Sequence, residues 1–223
     1  MELKLSPPLP SMKSKIAGLF FAGFICVASP TAFAADGELK VASATPAKSI
    51  NLSVEGKGDW THWGRIHGTT ILNRKQSTRP VIGDLVKAGV RELHTYETNP
   101  TIFSWSDGTP AAEVKQTRSG VFTYGQHAGF QIALPADMTP RTAKIFCGVW
   151  RGQGKLEAAL SDGSAPLVTA TKDGVEPEAG DNVVFTIRYR AAAAGQTLSL
   201  KWINTTNRGN VTFQAVTLNE EKP

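Results

Sequence analysis

The chain has 223 residues and a net charge of +5, with 41% hydrophobic and 19% charged residues, 21 Gly and 13 Pro. This composition is too apolar for a disordered chain and too interrupted by turn formers for a coiled coil. The positive surplus is small and forms no block of like charge, so a nucleic-acid partner is not expected.

The first element is an apolar run over 16–28, preceded by Lys13 and Lys15 and followed by Pro30 and Ala32-Phe33-Ala34. A basic flank, a short apolar stretch and a small-x-small pattern together predict a signal peptide over 1–34. The run is too short to cross about 30 Å of hydrocarbon, and no later segment reaches the ~18 apolar residues a span needs. The mature chain is therefore expected to be exported to periplasm, cell surface or medium, with no membrane span. Removing 34 from 223 leaves 189 residues, enough for one domain with a sizeable core. Glu2, Lys4, Lys13 and Lys15 fall in the signal, which reduces the charge to +3. Cys26 also falls there, and bulky Ile25 before it argues against lipid attachment. Cys147 then stands alone, so no internal disulfide can form and the core must hold by packing.

Residues 35–47 are small and polar and predict a flexible leader, with one domain over 48–218 and a short tail over 219–223. Runs at 49–54, 90–97 and 129–134 have β character. The clearest alternation follows at 142–150, where Ile145, Cys147 and Val149 share a face opposite Lys144, Phe146 and Gly148. Leu156, Ala158 and Leu160 share one face of the next run. Val183, Phe185, Ile187 and Tyr189 form another such set, then Leu198, Leu200 and Trp202, and finally Val211, Phe213 and Ala215. Residues 80–88 have the composition of one short helix, and 191–194 read as a corner between strands. Long connections at 73–87, 105–120 and 166–180 suit strands that switch sheets. The fold class expected is all-β, a single-domain jelly-roll-like β-sandwich.

Several segments occur in a familiar order: Asp59-Trp60-Thr61-His62-Trp63-Gly64, Asn73-Arg74-Lys75, Trp105-Ser106-Asp107-Gly108-Thr109-Pro110, Phe130-Gln131-Ile132, Gly148-Val149-Trp150 and Leu160-Ser161-Asp162-Gly163-Ser164. Over 50–218 the chain resembles a module of bacterial secreted proteins that is similar to galactose-binding-like jelly rolls of the carbohydrate-binding type. That resemblance implies a β-sandwich and export, and it assigns no binding residue.

The aromatic residues suggest where a ligand would sit. Trp60 and Trp63 are three apart, which in a strand sends them to opposite faces. One can fill a core while the other offers a surface for a sugar ring, unless both are covered. Trp105, at the mouth of a loop beside Asp107, has the makings of a stacking and hydrogen-bonding site, with Tyr124 as a neighbour. Trp150 followed by Arg151 at a strand end is a second such pair.

Other chemistry is poorly supported. His62, His67, His94 and His127 lack chelating spacing, so no zinc site is expected. Calcium is the alternative metal, through Asp107, Asp162, Asp173 or Asp181 in loops, but no D-x-D-x-D series is present and turn capping is the preferred role. There is no G-x-S-x-G nucleophile turn, and Glu55 with Asp59, or Glu92 with Glu97, cannot be shown to face each other. The chain thus reads as a non-catalytic module without cofactor, its partner a glycan or cell-surface component. A structural or adhesive module with a protein partner is the alternative, and an unrecognised hydrolase the third reading.

Overall fold

Alternating apolar residues can be buried on one face of a sheet, whereas continuous apolar runs demand cover on both. Both patterns occur here, and the architecture follows from them. In a computed structural model the chain is described over 37–221, except 67, 69, 77, 78, 90 and 176–180. The expected signal segment and His67 lie outside the described residues, all of which fall within one compact unit, Ala34–Pro223.

In chain order the elements begin with β1 (Glu38–Ala44), β2 (Ser49–Asn51), α1 (Leu52–Glu55), β3 (Asp59–Ile66), β4 (Thr70–Lys75) and β5 (Val86–Ala88). There follow β6 (His94–Tyr96), β7 (Ile102–Trp105), β8 (Gly108–Thr109), β9 (Val114–Thr117), β10 (Gly120–Tyr124) and β11 (Gly129–Ala136). The last are β12 (Arg141–Trp150), β13 (Gln153–Leu160), β14 (Val168–Asp173), β15 (Asp181–Arg190), β16 (Gln196–Asn204) and β17 (Asn210–Glu220).

Three sheets result. The largest runs β1-β15-β12-β17-β3-β4-β8, with β10 and β6 joined beside β17. A second runs β14-β13-β16-β11-β5, and a third, β2-β7-β9, is small. The first two sandwich the main core, which includes Ile145, Cys147, Phe185, Leu200, Trp202 and Phe213. The small sheet covers part of the other face of the largest sheet and closes a second core of Ile50, Leu52, Trp60, Phe103, Trp105, Phe146 and Ala215. The all-β sandwich expected from the sequence is present, with this third layer added.

The central strands carry apolar side chains on both faces because both faces are covered. In β12, Ile145, Cys147 and Val149 enter the main core while Phe146 enters the second. Trp60 and Trp63 do point to opposite faces of β3. They are 0% and 4% exposed, one in each core, so neither reaches the surface.

Strand β17 departs from simple alternation. Its register against β12 jumps between Phe146–Ala215 and Cys147–Phe213, leaving Gln214 as an extra residue. One added residue moves everything beyond it to the opposite face. Val211 and Phe213 therefore join the main core, but Ala215 joins the second, not their face as the alternation predicted. The bulge also marks where β17 changes its other neighbour, from β10 over 210–213 to β3 over 215–218.

Other local readings also differ. The segment expected to be a flexible leader supplies β1, an edge strand paired with β15 from Glu38–Arg190 to Ala44–Val184. Strand β17 continues to Glu220, into the expected tail. The 80–88 stretch contains β5 instead of a helix. Among the described residues the one turn of helix lies at Leu52–Glu55, capped by Asn51, whose side chain accepts from the amides of Ser53 and Val54.

Candidate functional site

Trp105 occupies β7 in the second core and is 2% exposed. Its ring lies 5.2 Å from Trp60 and 5.1 Å from His62, and its Nε1 donates to the Ala111 carbonyl at 2.9 Å. With its faces covered and its donor satisfied, Trp105 is a packing residue. The loop-mouth position inferred from Ser104 and Ser106 did not account for the small sheet laid over it.

Asp107 sits just outside that core and gathers three donors. Trp60 Nε1 reaches Oδ1 at 2.9 Å, Lys75 Nζ reaches Oδ2 at 2.6 Å, and Ser53 Oγ also donates to Oδ1. Partial burial pushes the carboxyl up, but the hydrogen bonds from Lys75, Ser53 and Trp60 outweigh it and hold the group below its ordinary value. The carboxylate ties β3, β4 and α1 together.

The other predicted pair is at the surface. Trp150 ends β12 and is half-buried, and Arg151 begins the two-residue turn to β13. Arg151 adopts a left-handed backbone, φ 53°, and its guanidinium carbon lies 4.7 Å from the centre of the Trp150 ring. Together with Gly152, Gly174, Arg208 and Gly209 they line a concavity of about 490 Å³. Gly209 is required there: its φ is 67°, and a Cβ would lie 2.1 Å from the Trp150 carbonyl oxygen. The turns are fastened together, Gly174 donating to Gly152 and His127 to Asn204, each at 2.8 Å.

Strand register extends this surface sideways. Asn210 of β17 is the partner of Trp150 on β12 and of Tyr124 on β10. Directly opposed residues share a face, so Trp150, Asn210 and Tyr124 form one row across three strands. At about 4.8 Å per strand the two aromatic residues are about 10 Å apart at Cα. The next row contains Gly148, Thr212, Phe122 and His94, again in register. The His94 ring stacks on Phe122 at 5.0 Å and on Tyr124 at 5.5 Å, and Tyr124 is 49% exposed. Oδ1 of Asn210 is covered and has no hydrogen-bond partner among the described residues. Reading residues alone missed this row. The signal available was the i, i+2 pair Phe122 and Tyr124, but their adjacency to Trp150 depends on pairing through β17.

A second concavity of about 450 Å³ lies beside Arg65, Glu97 and Arg118, with no aromatic residue in its lining. Arg118 there donates to the carbonyls of Asn99 and Pro100. Among the described residues no group of three or more His, Cys, Asp or Glu side chains is placed to hold a metal. Asp162 accepts from the amides of Ser164 and Ala192, Asp173 from Gln153, and Asp181 from Lys172 and the Val175 amide. Of the carboxylates considered for catalysis, Glu55 and Asp59 are engaged. Glu55 pairs with Lys144 at 2.7 Å, and buried Asp59 accepts from the amides of Trp60, Val81 and Ile82. No helix among the described residues is long and apolar enough to cross a membrane.

No family model matches the sequence, and no curated protein is similar to it. Several solved structures share part of its chain path. The CBM22-1 and GH10 modules of a Clostridium thermocellum endo-1,4-β-D-xylanase, complexed with xylohexaose, match 61% of this chain at 12% identity and a TM-score of 0.38. The chain spans 26% of that xylanase chain. TmCBM61 in complex with β-1,4-galactotriose matches 58% of this chain and 88% of its own, at 11% identity and a TM-score of 0.36. A carbohydrate-binding module of Cellvibrio mixtus lichenase 5A, in complex with cellotriose, matches 63% of this chain and 99% of its own, at 12% identity and 0.32. The first joins a CBM22-1 module to GH10, and the other two are carbohydrate-binding modules. Each likeness is partial and assigns no ligand to this chain.

Proposed function

We propose that this protein is an exported, non-catalytic β-sandwich module that binds carbohydrate on the face bearing Trp150, Asn210 and Tyr124. The observation that carries this reading is the register that puts two surface aromatic residues on either side of a polar side chain. Sugar rings present apolar C–H faces and a rim of hydroxyls, so they suit aromatic surfaces set beside hydrogen-bonding groups. The spacing of about 10 Å matches a disaccharide segment of a glycan chain. A rigid sheet supplies the row, and the turns at 125–128, 151–152 and 205–209 border it.

Export rests on the N-terminal pattern alone, and the secreted protein should begin at Ala35 by intact mass. The binding reading is tested with a glycan array that compares the protein with its Trp150→Ala and Tyr124→Ala variants. Binding to one glycan class, lost in both variants with folding retained, is expected. Retention of glycan by both variants would place the site elsewhere.

A further inference from the structure

The concavity beside Trp150 has cations and glycines around it. Arg151 and Arg208 both line it, and the remaining lining residues besides Trp150 are Gly152, Gly174 and Gly209. Neither arginine makes an ion pair with a carboxylate among the described residues. Three other arginines are held by carboxylates: Arg74 reaches Asp84 at 3.0 Å, Arg141 reaches Asp137 at 2.7 Å, and Arg188 reaches Glu221 at 3.5 Å. A third arginine stands at the opposite end of the row. Arg91 Nε would lie 3.1 Å from a Cβ on Gly125, the residue after Tyr124.

The Arg151 side chain is held in place. A two-residue turn entered at φ 53° suits Gly, Asn or Asp better than a long side chain. Here the guanidinium carbon lies over the Trp150 ring, 4.7 Å from its centre, and the cation–π attraction favours that position before any ligand arrives. A stacked guanidinium keeps N–H donors along its edge, in the fork geometry that fits the two oxygens of a carboxylate.

We infer that the glycan bound here is acidic, a polymer containing uronic acid, whose carboxylates pair with Arg151 and Arg208 while a neighbouring ring lies along the Trp150 to Tyr124 row. This rests on the carbohydrate-binding reading above and adds the charge of the ligand. Guanidinium–carboxylate pairs supply direction as well as attraction, and salt weakens them when they are exposed.

The test uses four probes in titration calorimetry: an oligogalacturonate, its fully methyl-esterified form, a neutral galactan oligomer and poly-L-glutamate. The protein should bind oligogalacturonate about tenfold or more tightly than the ester, since one charge-assisted bond contributes at that level. Arg151→Gln and Arg208→Gln should each lose about tenfold in affinity for the acid with little change for the ester. Arg190→Gln, at the end of β15 remote from Trp150, should bind as the parent does. Melting temperatures confirm that each variant is folded, and Arg151→Lys replaces Arg151→Gln if the turn does not tolerate glutamine. Equal affinity for acid and ester, or binding of a neutral oligomer alone, overturns the acidic inference and leaves the carbohydrate reading standing. Absence of binding to every sugar, or equal binding to poly-L-glutamate, overturns both.

Discussion

The indole of Trp60 donates to Asp107 at 2.9 Å, joining a central strand to the loop that follows β7. The same carboxylate holds Lys75 at 2.6 Å, so its acceptors are directed into the protein. Beside it, Trp105 closes the core between the large and small sheets. An aromatic and a carboxylate two residues apart, which suggested a sugar site, instead fasten one layer to another.

Trp105→Ala is therefore a stability variant. Truncating a fully buried indole should cost about 3–5 kcal/mol. Tyr124→Ala, at 49% exposure, should cost less than about 1 kcal/mol. Chemical denaturation of both gives the comparison, and a small effect of Trp105→Ala would return that residue to the list of ligand contacts.

His62 is buried against Phe103 and Trp105, with Nε2 3.1 Å from the Ser119 carbonyl. Burial pushes its pKa down to about 4, against a smaller upward effect of the Ser119 contact. In the unfolded chain it titrates near its ordinary value of about 6.5, so between those values the unfolded state holds more protons. Stability should be fully present above about pH 6.5 and fall toward pH 4, by on the order of 3 kcal/mol across the window. Urea midpoints at a series of pH values measure this, and His62→Gln should flatten the slope.

Asp137 contributes in a lower window. Arg141 grips it through both guanidinium nitrogens, at 2.7 and 3.0 Å, and the Thr139 amide donates at 2.7 Å. The Arg141 hydrogen bonds, opposed by partial burial and helped by Thr139, hold the carboxyl at about 2. Its contribution is present above the ordinary carboxylate range and is lost as pH falls through about 2. Carboxyl-carbon NMR titration should find this depressed value in the parent and an ordinary one in Arg141→Gln.

Cys147 lies at 0% exposure between Ile145 and Val149, and burial raises its thiol pKa well above normal. A bulky thiol reagent should label it only as fast as the protein unfolds. Cys147→Ala should lower stability by roughly 1–2 kcal/mol without altering binding. Rapid native labelling would contradict the register of β12.

Strands β12, β13, β15 and β16 were legible because the side chains they send into the main core recur every second residue. Trp150 and Arg151 were also legible as a strand-end pair. Three things required the folded chain. The small sheet consists of strands of three or four residues, too short to show a period, and its presence decides that Trp60 and Trp105 are covered. The bulge at Gln214 reversed the face of Ala215 without any local mark. The row from Trp150 through Asn210 to Tyr124 joins residues from three strands, and such pairing is a property of topology, not of spacing along the chain.

Tryptophan indole signals provide the most direct measurement. The protein has five tryptophans, each giving one resolvable Nε1–H resonance. Trp60, Trp63, Trp105 and Trp202 are buried, and Trp150 stands at the proposed face. Titration with a glycan that the array identifies should shift the Trp150 indole resonance and leave the other four nearly unmoved. Saturable binding that shifts the Trp60 or Trp105 resonance, or none of the five, would contradict recognition through this face.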